Sequence, residues 1–422
     1  MGCPTSRKNN MIETAVKTER VVLVGVALPD SHHFEMSMQE LENLAKTAGA
    51  EVCGSYVQKR DRYDSKTFIG SGKLDEIAQL VEADEIDTVI VNNRLTPRQN
   101  SNLEGILGVK VIDRMQLILD IFAMRARSHE GKLQVHLAQL KYMLPRLVGQ
   151  GVMLSRQAGG IGSRGPGESQ LELNRRSIRN QIHDIERQLK LVEKTRSIVR
   201  EKRVESGVFK IGLIGYTNAG KSTIMNVLSQ KDQYEADELF ATLDATTKQI
   251  KLQDHFQVTL TDTVGFIQDL PTELVSSFKS TLEESRHVDL LLHVIDASDA
   301  EHAAQEEVVL SILKDLEMLD IPRLTIYNKA DMAEHFLPTL SPYVFLSAKS
   351  SNVKEILQNA IVTKVGELAE PFNVTIPFAK SYLTHDLSRY ALIFDRKVTE
   401  DGEHLSGVIM PSNLWRLEVF YD

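Results

Sequence analysis

Apolar residues recur in short blocks along the chain, and the period of the blocks changes twice. Val21 to Leu28, Glu51 to Val57, Thr88 to Val91 and Val109 to Ile112 read as short strands. Between them, Met38 to Ala48, Lys73 to Asp84 and Pro97 to Leu107 place apolar residues at helical spacing. Strand and helix alternate, which predicts an α/β domain over residues 20–124. Residues 1–19 show no sustained period and read as a flexible tail.

The period then lengthens. Leu133, Leu137, Leu140, Leu144 and Leu147 step by 4, 3, 4 and 3 and share one helical stripe. Val148 to Gly167 holds 7 glycines in 20 residues, so the helix is expected to stop there. Beyond it, Leu171, Ile178, Ile185, Val192 and Val199 recur every seven residues, with Ile182 and Leu189 at the intervening seam positions. Residues 125–206 therefore read as a long antiparallel helical hairpin with a glycine-rich loop at its tip.

From Val208 the short strands return: Phe209 to Ile214, Val258 to Leu260, Leu290 to Ile295, Arg323 to Tyr327 and Tyr343 to Leu346. Helical stretches at Ser222 to Leu228, Ser276 to Arg286, Gln305 to Leu319 and Val353 to Val365 separate most of them, which predicts a doubly wound sheet over residues 207–368. Residues 369–422 read as a small α+β domain, with strands at Asn373 to Pro377 and Trp415 to Tyr421 and a helix over Ser381 to Phe394. The fold class is α/β, with the helical hairpin and the small α+β C-terminal domain as additions to two α/β domains.

Composition narrows the options. The 422 residues are 42% hydrophobic and 25% charged, as in globular proteins. The longest apolar run, Val21 to Leu28, falls far short of the ~20 residues of a membrane span. Two cysteines, Cys3 and Cys53, form no disulfide framework, and Met1 to Arg20 has no apolar signal core, so a cytoplasmic location is expected. The net charge of -9 hides a split: Arg125 to Ser206 carries 17 Lys/Arg against 8 Asp/Glu, a net of +9. A basic hairpin stands on an acidic body, and the overall charge weighs against nonspecific nucleic-acid binding by the surface as a whole.

Four loops carry the candidate chemistry, and each follows a predicted strand. Gly215-Tyr216-Thr217-Asn218-Ala219-Gly220-Lys221-Ser222 fits the phosphate-loop pattern, in which backbone N–H groups and a helix N-terminus surround phosphate oxygens. Lys221 would bridge the β- and γ-phosphates, and the Ser222 hydroxyl would ligate magnesium (Mg2+). Asp262-Thr263-Val264-Gly265 would hold the ion through water and offer the glycine N–H to the γ-phosphate. In Asn328-Lys329-Ala330-Asp331, the Asp331 carboxylate can accept from guanine N1 and N2, for which adenine has no matching donors. Lys329 would pack along the ring, Asn328 would tie this loop to the phosphate loop, and Ser347-Ala348-Lys349 would present a backbone N–H to the guanine oxygen.

Between the first two loops, Phe240-Ala241-Thr242-Leu243-Asp244 is the candidate sensor of the third phosphate, with Thr246 and Thr247 as rivals to Thr242 for the metal shell. The pieces spell GTP hydrolysis in a translation-factor-like nucleotide domain. Phe266 occupies the position where a water-orienting glutamine is expected, so intrinsic turnover should be slow. Asn218 is a candidate ligand of a potassium ion (K+) that would supply positive charge as an arginine finger does.

The chain resembles the HflX family of GTPases over nearly its whole length. The resemblance rests on Gly70-Ser71-Gly72-Lys73, Val111-Ile112-Asp113-Arg114, Leu119-Asp120-Ile121-Phe122 and His129 to Val135. It rests above all on Gly159-Gly160-Ile161-Gly162-Ser163-Arg164-Gly165-Pro166-Gly167-Glu168, together with the phosphate loop and Phe240 to Asp244. Ser163 and Ser169 stand where threonine is common, Asn174 where aspartate is usual, and Thr223-Ile224-Met225-Asn226 replaces Thr-Leu-Phe-Asn. The resemblance favours Thr242 as the magnesium ligand. It also implies a GTPase that binds the large ribosomal subunit, is stimulated by it and splits ribosomes under stress. Arg156 and Arg164 in the glycine loop, with Arg175, Arg176 and Arg179 behind it, are then the expected rRNA contacts. A monomer with no DNA partner is expected.

Three other readings compete. A kinase or ATPase on the same phosphate loop would lack Asn328 to Asp331 in register. A membrane-tethered or regulatory GTP switch is suggested by Met1-Gly2-Cys3-Pro4-Thr5-Ser6, which fits the loose myristoylation pattern. A structural ribosome-bound protein would hold nucleotide without turnover. His129 and His136 lie on one helical face, seven apart, with no third metal ligand in sequence.

Overall fold

The β-branched runs of the first third pair into a parallel sheet in a computed structural model, which describes residues 18–31, 33–156, 166–205, 207–229, 240, 246–253, 255–262, 265–267, 284–334 and 336–419. The chain divides into two compact units, one ending at Leu117 and the other beginning at Ile118.

In the first unit the elements run β1 (Arg20–Ala27), α1 (Phe34–Thr47), β2 (Glu51–Lys59), α2 (Ser71–Ala83), β3 (Thr88–Val91), α3 (Pro97–Leu107) and β4 (Lys110–Asp113). The sheet order is β2-β1-β3-β4 and every pair is parallel. Local chemistry fixes the α3 boundaries: Thr96 and Gln99 form a reciprocal capping box, Pro97 opens the helix, and Gly108 closes it in the left-handed region at φ 71°. Val22, Val24, Val26, Val89, Val91 and Val111 fill the core on one face of the sheet.

The carboxyl ends of these strands, where open α/β sheets usually take ligands, are filled by the protein's own side chains. Arg114, 5% exposed, donates to the Ser37 carbonyl and to Asn92 Oδ1, both at 3.0 Å, and pairs with the Glu40 carboxylate. Asn92 Nδ2 donates to Ser37 Oγ at 2.9 Å, and Asp113 accepts from the N–H groups of Leu95 and Gln116. Asp113 and Arg114 of the sequence motif thus act as a structural plug.

Helix α4 (Arg114–Arg125) leads into the second unit, where α5 (His129–Arg156) and α6 (Pro166–Glu205) run antiparallel. Their seam joins Leu133, Leu137 and Leu140 to Ile178, Ile182, Ile185 and Leu189, with Lys141 paired to Glu186 across it. The first helix ends at Arg156, inside the glycine-rich stretch Val148 to Gly167 where it was expected to stop, after passing through Gly149 and Gly151. A glycine costs a helix only about 1 kcal/mol, which a long helix tolerates.

The next sheet contains β5 (Phe209–Gly215), β6 (Thr246–Leu252), β7 (Phe256–Asp262), β8 (Leu290–Asp296), β9 (Arg323–Asn328) and β10 (Tyr343–Phe345), in the order β10-β9-β8-β5-β7-β6. All neighbours are parallel except β6 and β7. Helices α7 (Lys221–Ser229), α8 (His302–Asp315) and α9 (Val353–Leu368) accompany it, and of the helix expected over Ser276 to Arg286 only Glu284–His287 is described, as a short 3-10 turn. Ile211, Leu213, Ile224, Leu260, Leu292, Ile326 and Leu357 form its core.

The C-terminal region corrects two expectations. The helix over Ser381 to Phe394 is confined to α10 (Tyr382–Leu387), because the β-favouring run Ala391-Leu392-Ile393-Phe394 opens β12 (Ala391–Val398). Of the strand expected over Trp415 to Tyr421, Trp415–Glu418 is instead the short helix α11, and Phe420 and Tyr421 lie outside the described residues. Here β11 (Glu370–Ile376), β13 (Glu403–Ile409) and β12 pair antiparallel in the order β11-β13-β12. Asn413 Nδ2 donates to the Gly207 carbonyl at 2.7 Å, and the Gln257 N–H donates to the Arg389 carbonyl at 3.0 Å.

Replacing Glu40 by alanine leaves the buried Arg114 guanidinium without its counter-charge. The expected cost is about 3–5 kcal/mol, read as a lowered urea midpoint for the first unit; an unchanged midpoint would show that the pair holds nothing together.

Candidate functional site

The apolar strand β5 delivers the chain to Gly215 at φ 150°, where an added Cβ would lie 2.1 Å from the Val294 carbonyl oxygen. Only glycine fits. Asn218 and Gly220 then take φ of 61° and 95°, and the loop curls into the first turn of α7. A Cβ on Gly220 would lie 2.2 Å from Asn328 Nδ2. Such a loop, opening a helix at the carboxyl end of a parallel strand, turns N–H groups toward a bound anion.

Lys221 is 6% exposed, and its ammonium donates to the carbonyls of Tyr216 at 2.7 Å and Gly215 at 3.2 Å. Burial pushes its pKa down to about 8, and the neighbouring Asp262 charge opposes that shift. Thr217 Oγ1 is buried and has no hydrogen-bond partner among the described residues.

At the end of β7, Asp262 is fully buried and accepts from the Ser222 hydroxyl at 2.8 Å. Gly265 approaches so closely that a Cβ would meet Thr217 Cγ2 at 2.9 Å and Lys221 Nζ at 3.0 Å. The neighbouring Phe266 extends the sheet by one bridge: its carbonyl accepts from the Thr217 N–H at 2.8 Å, and its N–H donates to the Gly215 carbonyl at 3.2 Å. Its side chain is 2% exposed and has no polar atom with which to orient water. Thr263 and Val264 lie outside the described residues, as do Ala241, Thr242, Leu243 and Asp244.

Asn328, 3% exposed at the end of β9, joins the loops. Its Nδ2 donates to the Ala219 carbonyl, and its Oδ1 accepts from the Ala348 N–H, both at 2.9 Å. The tie expected from the sequence is present and holds a third loop as well. Asp331 is exposed nearby. A hydrogen bond from Ser347, aided by the charges of Lys349 and Lys329, holds its carboxyl below the usual range, so it is ionised at neutral pH. The Ala330 N–H donates to the Leu346 carbonyl, which keeps this loop against the Ser347 loop. Since Ala348 serves Asn328, the Lys349 N–H, held at 3.3 Å by Ser347 Oγ, is the more easily released donor there.

Two residues were missed in the sequence. Asp296, at the end of β8, pairs with the Lys329 ammonium at 2.7 Å and accepts from the Ser298 N–H and hydroxyl. Its only local signal is an Asp-x-Ser turn after an apolar strand. His293, on the same strand, is buried, and desolvation pushes its pKa down to about 3, with Arg323 and Lys221 adding to the shift. It is neutral at any working pH.

Arg175 is half-buried on α6, whereas Arg176 and Arg179 are exposed. Arg164 and the side chain of Arg156 lie outside the described residues. His129 and His136 are exposed, and among the described residues no group of three or more His, Cys, Asp and Glu side chains converges to hold a metal. No described helix is long and apolar enough to cross a membrane.

A parallel sheet whose central strand ends in a glycine-bounded loop, with a buried lysine and a carboxylate–hydroxyl pair beside it, is the framework of the P-loop nucleotide hydrolases. Comparison with known proteins narrows the class. Residues 35–123 match a family described as GTP-binding GTPase N-terminal, residues 125–203 one described as GTP-binding GTPase middle region, and residues 210–329 one described as 50S ribosome-binding GTPase. The GTPase HflX of Alkalihalophilus pseudofirmus is 54% identical over 323 residues, 76% of each chain. That of Caldanaerobacter subterraneus subsp. tengcongensis is 46% identical over 392 residues, 93% of this chain and 91% of the relative. A crystal structure of a GTP-binding protein from Sulfolobus solfataricus in complex with GDP is 26% identical, with a TM-score of 0.46 over 83% of this chain and 100% of that one. The chain belongs to the HflX family of GTPases; it binds GTP and hydrolyses it.

Replacing Asn328 by alanine strands the Ala219 carbonyl and the Ala348 N–H in the interior. The expected loss is about 1–3 kcal/mol for each group left unpaired, read by denaturant unfolding; a loss under about 0.5 kcal/mol, the scale of an ordinary surface change, would show that the three loops hold without it.

Proposed function

We propose that the nucleotide occupies the carboxyl edge of the second sheet, with each loop in a separate role. Gly215 to Gly220 cradle the phosphates through their N–H groups, and Lys221 trades its two carbonyl contacts for β- and γ-phosphate oxygens. The exchange is favourable because carbonyl dipoles compensate a buried ammonium only in part, whereas phosphate charge compensates it fully. Gly265 offers its N–H to the γ-phosphate. Asp331, held ionised, accepts from guanine N1 and N2, while the stem of Lys329, anchored by Asp296, lies along the ring. Lys349 releases its N–H to the guanine oxygen.

The Ser222 hydroxyl and the Asp262 carboxylate, 2.8 Å apart, form a hard-oxygen donor set that suits magnesium. Ser222 and Thr242 would hold the ion directly and Asp262 through water. It would neutralise charge on the β- and γ-oxygens. Asn218, exposed in the loop, is the candidate ligand for potassium.

We further propose that the protein works in the cytoplasm on the large ribosomal subunit and separates ribosomal subunits under stress. The observation that carries this reading is the net charge of +9 on residues 125–206 against -9 for the whole chain. The description of the matched family over residues 210–329 supports it. Arginines of the hairpin would bond rRNA phosphates and release counterions, so the affinity should fall steeply with salt. Phe266 leaves the attacking water unoriented, which makes an external activator necessary.

Two outcomes are expected. GTP turnover in potassium buffer rises about tenfold or more on adding large subunits, which is at least ~1.4 kcal/mol off the barrier; equal rates with and without subunits would remove the ribosome from the proposal, and equal rates in potassium and sodium would remove Asn218 as an ion ligand. GDP affinity stays level below pH 8 and weakens as the pH rises through about 8, where free Lys221 loses its proton. Titration calorimetry between pH 7 and 9 should show that step in the native protein and none in Lys221→Met.

A further inference from the structure

The Asn328–Asp331 loop carries two charges of opposite sign, Lys329 and Asp331, on a single turn. The turn is closed by the Met332 N–H, which donates to the Lys329 carbonyl at 2.9 Å. Such a turn keeps its ends within ~7 Å, so the four-carbon stem of Lys329 is long enough to carry its ammonium to Asp331. The ammonium lies instead on Asp296, at 2.7 Å.

Asp296 is shaped to receive it. Its Oδ1 accepts from the Ser298 N–H at 3.0 Å and from the Ser298 hydroxyl at 2.6 Å, which leaves Oδ2 for Lys329. The side chains of Lys329 and Asp296 are 23% and 15% exposed, whereas Asp331 stands open to solvent. A partly buried ion pair is screened less than one in open water, so Asp296 holds the ammonium better than Asp331 would. The backbone of Lys329 is held as well. Its φ is 60°, in the left-handed region, and the Asn328 carbonyl before it accepts from the Ala297 N–H at 2.9 Å. That conformation persists at a non-glycine residue only where its surroundings hold it.

Asp331 already feels the lysine. A hydrogen bond from Ser347, with the charges of Lys349 and Lys329 behind it, keeps its carboxyl below the usual range. A carboxylate has about four lone-pair sites. Guanine N1 and N2 would take two and Ser347 takes another, so an ammonium settling on Asp331 competes with the base. We infer that Asp296 is a positioning residue for guanine recognition: it keeps the Lys329 ammonium off Asp331, so that the carboxylate stays open to the base and the Lys329 stem stays along the ring. The inference rests on the proposed roles of Asp331 and Lys329 and deepens them. Because GDP and GTP share the base, the loss without Asp296 should fall on both alike and spare the hydrolysis of bound GTP.

The test uses the full chain and measures binding of GDP and of a non-hydrolysable GTP analogue by titration calorimetry, with single-turnover GTP hydrolysis alongside. Asp296→Asn keeps an oxygen for Ser298 and removes the charge; Asp296→Ser, also a turn former, serves where the first variant fails to fold. In either, affinity for both nucleotides is expected to fall about fivefold or more, with their ratio and the single-turnover rate at saturation changed less than about twofold. Lys329→Met keeps an unbranched apolar stem and removes the ammonium. In that background Asp296→Asn should change GDP affinity less than about twofold, because no ammonium is left to displace. A role of Asp296 confined to shaping its own turn would cost the same factor in both backgrounds, and that result overturns the inference. Unchanged GDP affinity in a folded Asp296 variant overturns it too. Asp331→Asn separates the two claims: if it weakens GDP binding and the Asp296 variants do not, only the role of Asp296 falls; if it leaves GDP binding unchanged, the role of Asp331 falls and this inference with it.

Discussion

The amide of Asn328 is the joint on which the nucleotide edge of the second unit depends. One side chain can donate and accept at once, and Asn328 uses both capacities on backbone groups of two other loops, Ala219 and Ala348. Since the bonds are buried, either loop can move only by leaving a polar group unpaired. The Gly215–Gly220 loop, the Asn328–Asp331 loop and the Ser347 loop are therefore tied together, although more than a hundred residues separate the first from the last. Gly220 makes the same point from the other side, for a Cβ there would occupy the space of the Asn328 amide.

The two units place polar residues at the same topological position and use them in opposite ways. Both have parallel strands ending in a crevice. In the first, Arg114 fills the crevice with bonds to Ser37, Asn92 and Glu40, so its charge is matched inside the protein. In the second, the Lys221 ammonium donates to two carbonyls and has the Asp262 charge nearby, yet burial still lowers its pKa to about 8. A fully paired cation stabilises a fold, whereas an underpaired one keeps an affinity for anions. That difference separates the structural Arg114 from Lys221, the candidate phosphate ligand, without appeal to motif names.

Much of this was legible because each loop follows an apolar strand, and strands of parallel sheets are near-continuous apolar runs. What escaped did so for physical reasons. Helix α4 has only a narrow outer stripe, Gln116, Asp120, Ala123 and Met124, of which two residues are apolar, so the buried Met115, Leu117, Ile118, Leu119, Ile121 and Phe122 read as a nearly continuous apolar run. Strand β6 buries only Ile250 and Leu252 and lies at the sheet edge, so its sequence is largely polar. Trp415 to Tyr421 alternates in sequence as a strand would, yet after the turn over Pro411–Asn413 the residues Trp415–Glu418 form a helix. The Asp296–Lys329 pair joins residues that meet only because β8 and β9 are neighbours. No local pattern encodes a partner on another strand.

Strand β7 carries the last constraint. Its carboxyl end is Asp262, beside Ser222, and near its amino end Gln257 donates to Arg389 of the C-terminal region. Seven residues of strand span roughly 23 Å, and β7 is fixed between β5 and β6 along that length. Such a strand transmits displacement along its axis and bends little, because each ladder bond would have to stretch with it. The C-terminal region is thus joined to the same strand that bears the buried carboxylate, and Asn413 clamps Gly207 at the start of β5 next to it. A Cβ on Gly207 would lie 2.2 Å from Asn413 Oδ1, so the clamp also requires glycine there. The sheet is therefore tied at both edges by an asparagine amide, Asn413 at the amino edge and Asn328 at the carboxyl edge.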